Sequence, residues 1–351
     1  MLFLSYELLD NKSGGGIVSL EIFNILNKIY SKKLNKIEIP MNKNNIIKTY
    51  LTFSYKGKTK ELEDKVLNLI EEKKIRKVFI NGSIFGTICK KIKKKFKNEV
   101  EIIVFFHNVE IEYYLERVKV EGFTRYLLIP NIYYNERLTI KNSDKLILLN
   151  SREINNLKKR YIKLLSNKKI YEIPIYLKDR YEKRKVSKKQ EYYYLFIGSS
   201  FFANIQGISW FIEKILPNLN KKLIVVGKGM EILKEKYSNI KNLEIIGTVE
   251  NLDEYYYDSN VIISPIFYGA GMKTKIIEAM MFNKIIIGTC ESFTGISEID
   301  KVGYICNNES EFLKVLSSID FNKKELNSRK VYIQYYSEET ILEKYIKMLE
   351  E

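Results

Sequence analysis

The chain has 351 residues, 45% apolar and 13% aromatic, which excludes a disordered polymer and points to two domains with a core each. Cys89, Cys290 and Cys306 stand in no metal spacing, which excludes a zinc ribbon or a disulfide framework and suggests a reducing cytosol. The net charge of +16 favours anionic partners such as nucleic acid, an anionic membrane or phosphorylated substrates, although plentiful Lys, Asn, Ile and Tyr give it a compositional explanation as well.

Apolar strand-like runs alternate with amphipathic helical patterns, the mark of parallel sheets covered by helices on both faces. The opening MLFLSYELLD lacks a basic start, a long apolar segment and a small-residue cleavage site, so it reads as a first strand. No run of roughly 18 uncharged apolar residues follows. Strands are expected from Leu2 to Tyr6, Lys36 to Pro40, Lys77 to Ile80, Glu101 to Phe106, Lys145 to Leu149 and Ile170 to Pro174, with helices near 17–32, 60–74, 84–97, 123–141 and 152–165. Asn150, with Glu153 three residues on, forms a cap for the last of these. Residues 178–191, KDRYEKRKVSKKQE, are almost wholly polar and read as a linker between domains at 1–177 and 192–335. Beyond it, strands are expected from Tyr193 to Ile197, Lys222 to Val226, Leu243 to Ile246, Asn260 to Ser264 and Lys284 to Gly288. Helices fall near 204–216, 229–237, 251–257, 273–282 and 309–319, and a final helical section starts at about 322.

The turn Ser13-Gly14-Gly15-Gly16 follows the first strand and opens a helix whose Ile17, Val18, Leu20, Phe23 and Leu26 suit a buried face. It either closes a tight turn or lets a substrate approach Gly15 and Gly16. The spacing is not GxGxxG and no Walker lysine follows, which argues against a dehydrogenase or a P-loop enzyme. His107, the sole histidine, ends an apolar run beside Asn108 and Glu110. It is either a structural hydrogen-bonding residue or a group that faces a ligand at a strand's carboxyl end. With no second histidine and no cysteine cluster, no metal is expected. The segment Ile88 to Lys97, ICKKIKKKFK, aligns Ile88, Ile92 and Phe96 among six lysines. Such a helix either packs its stripe on the sheet or rests on an anionic membrane surface.

In the second half, Gly198, Ser199 and Ser200 end one strand, Asn204 and Gly207 lead into the next helix, and Gly227 and Gly229 end the following strand. The segment Thr248 to Leu252, with Val249, is placed to edge a nucleobase through backbone groups. The most telling stretch is SPIFYGAGMKTKIIEAMMF, Ser264 to Phe282. Its glycines let backbone N–H groups and a helix N-terminus approach a phosphate, and Lys273 and Lys275 add positive charge. Glu278 lies one turn beyond Lys275, where a carboxylate can accept two sugar hydroxyls. Diphosphate and ribose together suggest a nucleotide.

These separated motifs, His107 to Glu110, Gly198-Ser199 through Asn204 and Gly207 to Phe211, Val226-Gly227 with Gly229, Gly247 with Val249 and Leu252, and Gly269 to Met280, resemble a family-4 (group 1) retaining glycosyltransferase of GT-B fold. The resemblance implies an α/β architecture of two Rossmann-like doubly wound domains facing each other across a cleft, with a C-terminal helix, 336–351, returning to the first domain. It implies transfer of a sugar from a UDP- or GDP-sugar to a saccharide or lipid-linked saccharide, with retention and without metal or other cofactor. Such an enzyme would serve surface polysaccharide synthesis, be cytoplasmic, and rest on the inner membrane face through the basic helix 88–97. Glu278 would take the ribose, and the stretch Gly271, Met272, Lys273 and Thr274 the diphosphate or the transferred sugar. Gly15 and Gly16 would sit near the diphosphate and His107 near the transferred sugar, with Asn108 and Glu110 on the acceptor side. His107, Lys273 and Glu278 are the expected catalytic residues.

The chain departs from the family pattern twice. Ala270 stands where many relatives place a glutamate on the donor sugar, and Ser199 and Asn204 stand where many place an arginine and a lysine on the diphosphate. Lys273 and Lys275 are expected to supply that charge instead. Two other readings are a nucleotide-sugar epimerase of the same fold and a non-enzymatic polyanion binder. The second lacks any recognisable nucleic-acid module, so no nucleic-acid partner is expected.

Overall fold

The computed structural model describes all residues but 9–13, 41–52, 54, 56, 122, 184–192 and 320–325, and of 119–121 and 123–125 the backbone alone. Ser13 of the first glycine turn, residues 184–191 of the expected linker and 322–325 of the final helical section lie outside the described residues. The chain divides into two compact units, Met1–Ile175 with Leu342–Glu351, and Tyr176–Ile341. Residues 178–183, read as linker, therefore belong to the second unit.

In the first unit, β1 (Leu2–Tyr6), β2 (Asn35–Ile39), β3 (Lys77–Asn81), β4 (Glu101–Phe105), β5 (Lys145–Leu148) and β6 (Lys169–Glu172) make one parallel sheet in the order β2-β1-β3-β4-β5-β6. Leu4 stands opposite Ile37 on one side and Ile80 on the other. Val78 to Ile80, Ile102 to Val104 and Leu146 to Leu148 are wholly inaccessible. Both faces are covered, so these strands read as unbroken apolar runs rather than as alternations. The covering helices are α1 (Gly14–Tyr30), α2 (Lys60–Glu72), α3 (Gly86–Phe96), α4 (Glu110–Glu121), α5 (Ile129–Asn142) and α6 (Ser151–Tyr161). Asn150 caps α6 as expected, accepting from Glu153 N at 3.0 Å.

Two features of this unit depart from the sequence reading. The helix expected over 123–141 starts only at Ile129, with Pro130 in its first turn, because proline has no N–H to donate within a helix. Helix α4 was not expected at all, and its N-terminus is capped from a distance: Val109 N donates to Glu153, and Glu110 N and Ile111 N donate to Glu136. The basic helix α3 buries Ile88, Cys89 and Ile92 completely. Its apolar stripe is spent in the core, and Lys91, Lys93 and Lys95 pair with Glu63, Asp144 and Glu71. No helix among the described residues is long and apolar enough to cross a membrane.

In the second unit, β7 (Tyr194–Ile197), β8 (Leu223–Val226), β9 (Leu243–Ile245), β10 (Val261–Ser264), β11 (Ile285–Gly288) and β12 (Gly303–Ile305) form a parallel sheet ordered β12-β11-β10-β7-β8-β9. Its helices are α7 (Phe202–Lys214), α8 (Asp253–Asp258), α9 (Thr274–Met281), α10 (Glu309–Ser318) and α11 (Ser328–Tyr336). A Cβ on Gly207 would stand 1.9 Å from Pro265 O, so only glycine lets α7 lie this close to the loop after β10. The helix expected over 229–237 is a single 3-10 turn, Met230–Leu233. Strand β12 is three residues long, too short for its pattern to register.

The last helix, α12 (Glu338–Glu350), ends in the first unit. Tyr345 and Met348 are buried there. The first residues of three strands meet its carboxyl end: Lys77 Nζ donates to Leu349 O, Lys145 Nζ to Met348 O at 2.9 Å and Lys169 Nζ to Glu351 O at 2.6 Å. Cations belong at that end, where the last carbonyls lack helical partners.

Candidate active site

A doubly wound sheet binds ligands outside the carboxyl ends of its strands where the strand order changes direction. That point falls between β1 and β3 in the first unit and between β7 and β10 in the second.

In the first unit the switch point gathers the first turn of α1, Asn81 at the end of β3, and His107 just past β4. Ser19 Oγ donates to Gly15 O at 2.9 Å and stands 3.5 Å from His107 Nε2. His107 Nε2 is 3.0 Å from Asn81 Oδ1, while Asn81 Nδ2 donates to Ser5 Oγ at 3.0 Å. The amide oxygen can only accept, so His107 carries its proton on Nε2. Burial holds its pKa down to about 4, so the imidazole is neutral at ordinary pH. A Cβ on Gly15 would meet nothing within 4 Å among the described residues.

Glu110 follows at the start of α4. Burial and then the neighbouring Glu136 push its carboxyl up to about 8. Glu136 itself is pushed up to about 7 by burial, against the donors that converge on it: Tyr161 OH, Ser83 OH and the N–H groups of Glu110 and Ile111. Glu136 sits mid-pattern on α5 and carries no local signal, and Glu153, legible only as part of the Asn150 cap, also reaches Val109 N, 44 residues away in sequence.

In the second unit the turns after β7 and β8 interlock. Gly227, at φ +144°, would place a Cβ 2.0 Å from Gly198 O, and Gly198 would place one 2.9 Å from the Asn204 amide. Asn204 Nδ2 donates to Ser199 O at 2.9 Å. Its Oδ1 then accepts from Lys275 Nζ at 2.8 Å, across the switch point from α9. Lys275 Nζ also lies 4.4 Å above the Phe196 ring. Burial, and then Lys273, pull the Lys275 pKa down to about 7.

Gly269 and Gly271 take φ +152° and +64° in the turn before α9, a conformation that strains any residue with a Cβ. Met272 is buried, and Thr274 opens the helix. Lys273 Nζ pairs with Glu291 Oε1 at 2.8 Å and donates to Gly271 O at 3.1 Å. Glu278 is 5% exposed. Its Oε1 accepts from Arg180 Nη2 at 2.8 Å and its Oε2 from Tyr256 OH at 3.1 Å. Arg180 Nε is shared with Asp253 at 3.0 Å. Val249 and Leu252 lie past the end of β9, and Leu252 O accepts from Tyr256 N at the start of α8. Sequence reasoning missed Arg180, Asp253 and Tyr256. Arg180 stood in a run of charges with no periodicity, 98 residues from Glu278.

Among these residues, the second unit brings together Gly198, Ser199, Asn204, Gly227 and Lys275, with Lys273 and Glu278 on the same helix or its approach. The first brings together Gly15 and His107 through Ser19. Gly16 continues the opening turn of α1, and Asn108 lies between His107 and α4.

Residues 191–319 match the family model for glycosyl transferases group 1. Over 159 residues the chain is 28% identical to an uncharacterised 44.6 kDa protein in the cps region of Klebsiella pneumoniae, a stretch of 41% of this chain and 40% of that protein. Sucrose-phosphate synthase from Thermosynechococcus elongatus superposes with a TM-score of 0.75 at 13% identity, covering 99% of this chain and 98% of that one. Anabaena HepE in complex with UDP gives 0.69 at 13% identity, covering 99% of each chain. WaaG, a glycosyltransferase of lipopolysaccharide biosynthesis, gives 0.66 at 17% identity, again covering 99% of each. Two parallel six-stranded sheets with flanking helices, superposing on these enzymes along the whole chain, are the GT-B fold.

Proposed function

We propose that the chain is a glycosyltransferase that moves a sugar from a nucleoside diphosphate sugar, UDP- or GDP-linked, to a saccharide or lipid-linked saccharide, with retention and without metal, in surface polysaccharide synthesis. The observation that carries the reading is the arrangement on α9: a left-handed glycine turn, the buried Lys275 held by Asn204 across the switch point, and the buried Glu278 one turn on. The family match over 191–319 covers the same elements, and HepE of the same fold holds UDP and UDP-glucose. The cps-region relative supports the polysaccharide setting.

In this reading the diphosphate meets the N-terminal turn of α9 and the Lys275 ammonium, and Glu278 accepts the ribose hydroxyls. Negative charge grows on the leaving diphosphate as the glycosidic bond breaks, and fixed N–H groups and a poorly hydrated cation stabilise it better than mobile water does. Losing one such group costs roughly 3 kcal/mol, on the order of a hundredfold in rate. His107, neutral and donating to Asn81, keeps Nδ1 as its remaining acceptor for a sugar hydroxyl. Glu110, with its raised pKa, lies on the acceptor side, and exposed lysines of α3 supply any attraction to an anionic membrane.

Thermal-shift measurements with UDP, GDP, ADP and their sugar conjugates test the proposal. A ligand of the native state raises the melting temperature, and at least one of these compounds is expected to do so. No shift with any of them, together with no release of nucleoside diphosphate from the sugar conjugates, overturns it.

A further inference from the structure

Glu278 is held from two sides by groups that no motif identifies. Arg180 reaches it from the segment that opens the second unit, and the Arg180 backbone is itself fixed: its N–H points at Met281 Sδ at 3.3 Å and its carbonyl accepts from Tyr257 OH at 3.4 Å. Its guanidinium spans two carboxylates, with Nε on Asp253 Oδ1 at 3.0 Å and Nη2 on Glu278 Oε1 at 2.8 Å. Tyr256 holds the other oxygen at 3.1 Å, and its buried ring stacks on Phe282 at 5.0 Å. A carboxylate oxygen has two lone pairs, and each oxygen of Glu278 spends one on these donors. One lone pair per oxygen remains, enough for two neighbouring hydroxyls.

We infer that Arg180, together with Tyr256, is a positioning residue that sets the Glu278 carboxylate for recognition of a ribose diol, so that discrimination of ribo- from deoxyribonucleotides depends on a side chain outside the donor-binding helix. The inference rests on the proposed nucleotide-sugar reading. Two physical arguments support it. A carboxylate this buried needs hydrogen-bonded donors to hold one orientation. Only a planar fork bridges Asp253 and Glu278 together, and a lysine ammonium, a single point of charge, cannot reproduce that. Arg180 divides its guanidinium between Asp253 and Glu278, so Glu278 receives only Nη2 from it and keeps acceptor capacity.

The test measures dissociation constants by calorimetry for UDP against 2′-deoxy-UDP and GDP against 2′-deoxy-GDP, with inorganic pyrophosphate as a probe of the diphosphate site alone. The variants are Glu278→Gln, Arg180→Met, Arg180→Lys and Tyr256→Phe. The wild-type chain is expected to prefer the ribose form by about 10- to 100-fold, the range for a hydrogen bond to a charged group. Glu278→Gln and Arg180→Met should compress that ratio to about twofold with pyrophosphate binding unchanged, and Arg180→Lys should recover little of it. A residue that merely holds the fold would weaken all probes together and leave the ratio intact.

An Arg180→Met variant that keeps the wild-type ratio, where Glu278→Gln loses it, overturns the inference and leaves the nucleotide reading standing. A wild-type chain that binds ribose and deoxyribose forms alike overturns the inference and the ribose role of Glu278 while the nucleotide reading stands, and one that binds none of the nucleotides overturns both. If Arg180→Met does not fold, Arg180→Lys and Tyr256→Phe decide the matter by the same ratio.

Discussion

Lys273 and Glu291 form an ion pair at 2.8 Å in the turn before α9, whereas Lys275, two residues on, has no carboxylate within ion-pair distance among the described residues and is held by the Asn204 amide oxygen at 2.8 Å. The two lysines that the sequence put on an equal footing are thus in different electrostatic states. A phosphate must compete with Glu291 for Lys273 but meets Lys275 with its charge unanswered. Lys275→Met should therefore weaken UDP or GDP binding about 100-fold, and Lys273→Met about tenfold or less, read by calorimetry. Glu291→Gln should tighten binding by releasing Lys273. Equal losses for the two lysine variants would contradict this difference.

The same lysine makes stability and ligand binding respond oppositely. Its pKa is lowered to about 7 in the folded chain, so between roughly pH 7 and pH 10 the unfolded chain binds more protons and the Lys275 contribution to stability rises with pH. Lys275→Met should stabilise the chain by about 1 to 4 kcal/mol near neutrality, flattening that rise while it abolishes tight ligand binding. Thermal melts across this range with and without UDP or GDP separate the two effects. For the wild type, affinity should fall as pH rises above the Lys275 pKa, because the anion requires the charged form.

Gly227 fixes how the turns after β7 and β8 meet. Its φ of +144° suits glycine alone, and a Cβ there would stand 2.0 Å from Gly198 O. Gly227→Ala should cost about 3 kcal/mol or more, since strain and a backbone clash act together. A denaturant midpoint within error of the wild type would rule out the close approach. Gly15→Ala is the contrast: nothing among the described residues lies within 4 Å of the added methyl. It should leave stability nearly unchanged, so any loss of turnover it causes belongs to the ligand.

Much of the architecture was legible because buried parallel strands are continuous apolar runs and their carboxyl ends carry glycine turns. Strands such as Leu2–Tyr6 and Tyr194–Ile197 and the cap at Asn150 show in local sequence. What escaped was held by distant partners. Helix α4 depends on Glu136 and Glu153 for its first turn, and the Glu278 carboxylate depends on Arg180, 98 residues earlier. No window of sequence contains both halves of such a contact. The basic helix α3 shows the same limit: periodicity reveals its apolar stripe but not what covers it, and here Ile88 and Ile92 are buried in the core of the first unit, with α5 packed close against Gly86.

Glu136 is the clearest of these hidden supports. Its two oxygens take Ser83 OH, Glu110 N, Ile111 N and Tyr161 OH. Glu136→Ala should strand these donors and cost about 3 kcal/mol, with faster hydrogen exchange at the start of α4. Glu136→Gln keeps an accepting oxygen and should cost less. Burial raises the folded pKa to about 7, so the Glu136 contribution to stability declines between the unfolded value near pH 4 and the folded value. The Gln variant should lose this pH dependence and otherwise resemble the protonated wild type.

The carboxyl end of α12 offers a stability test independent of any ligand. Lys145 is 2% exposed and answers both Met348 O and Glu101, each at 2.9 Å, whereas Lys169, also on a strand's first residue, reaches Glu351 O from an exposed position. Lys145→Ala removes a donor from Met348 O and leaves Glu101 with Lys77, at 3.4 Å, as its remaining ion-pair partner among the described residues, and should cost about 3 kcal/mol. Lys169→Ala should cost less than about 1 kcal/mol, because solvent takes over its role. Lys145→Met preserves the buried stem and so separates charge from packing. If the ammonium is what secures the helix end, the methionine variant should be nearly as unstable as the alanine one, and amides near Met348 should exchange faster in both.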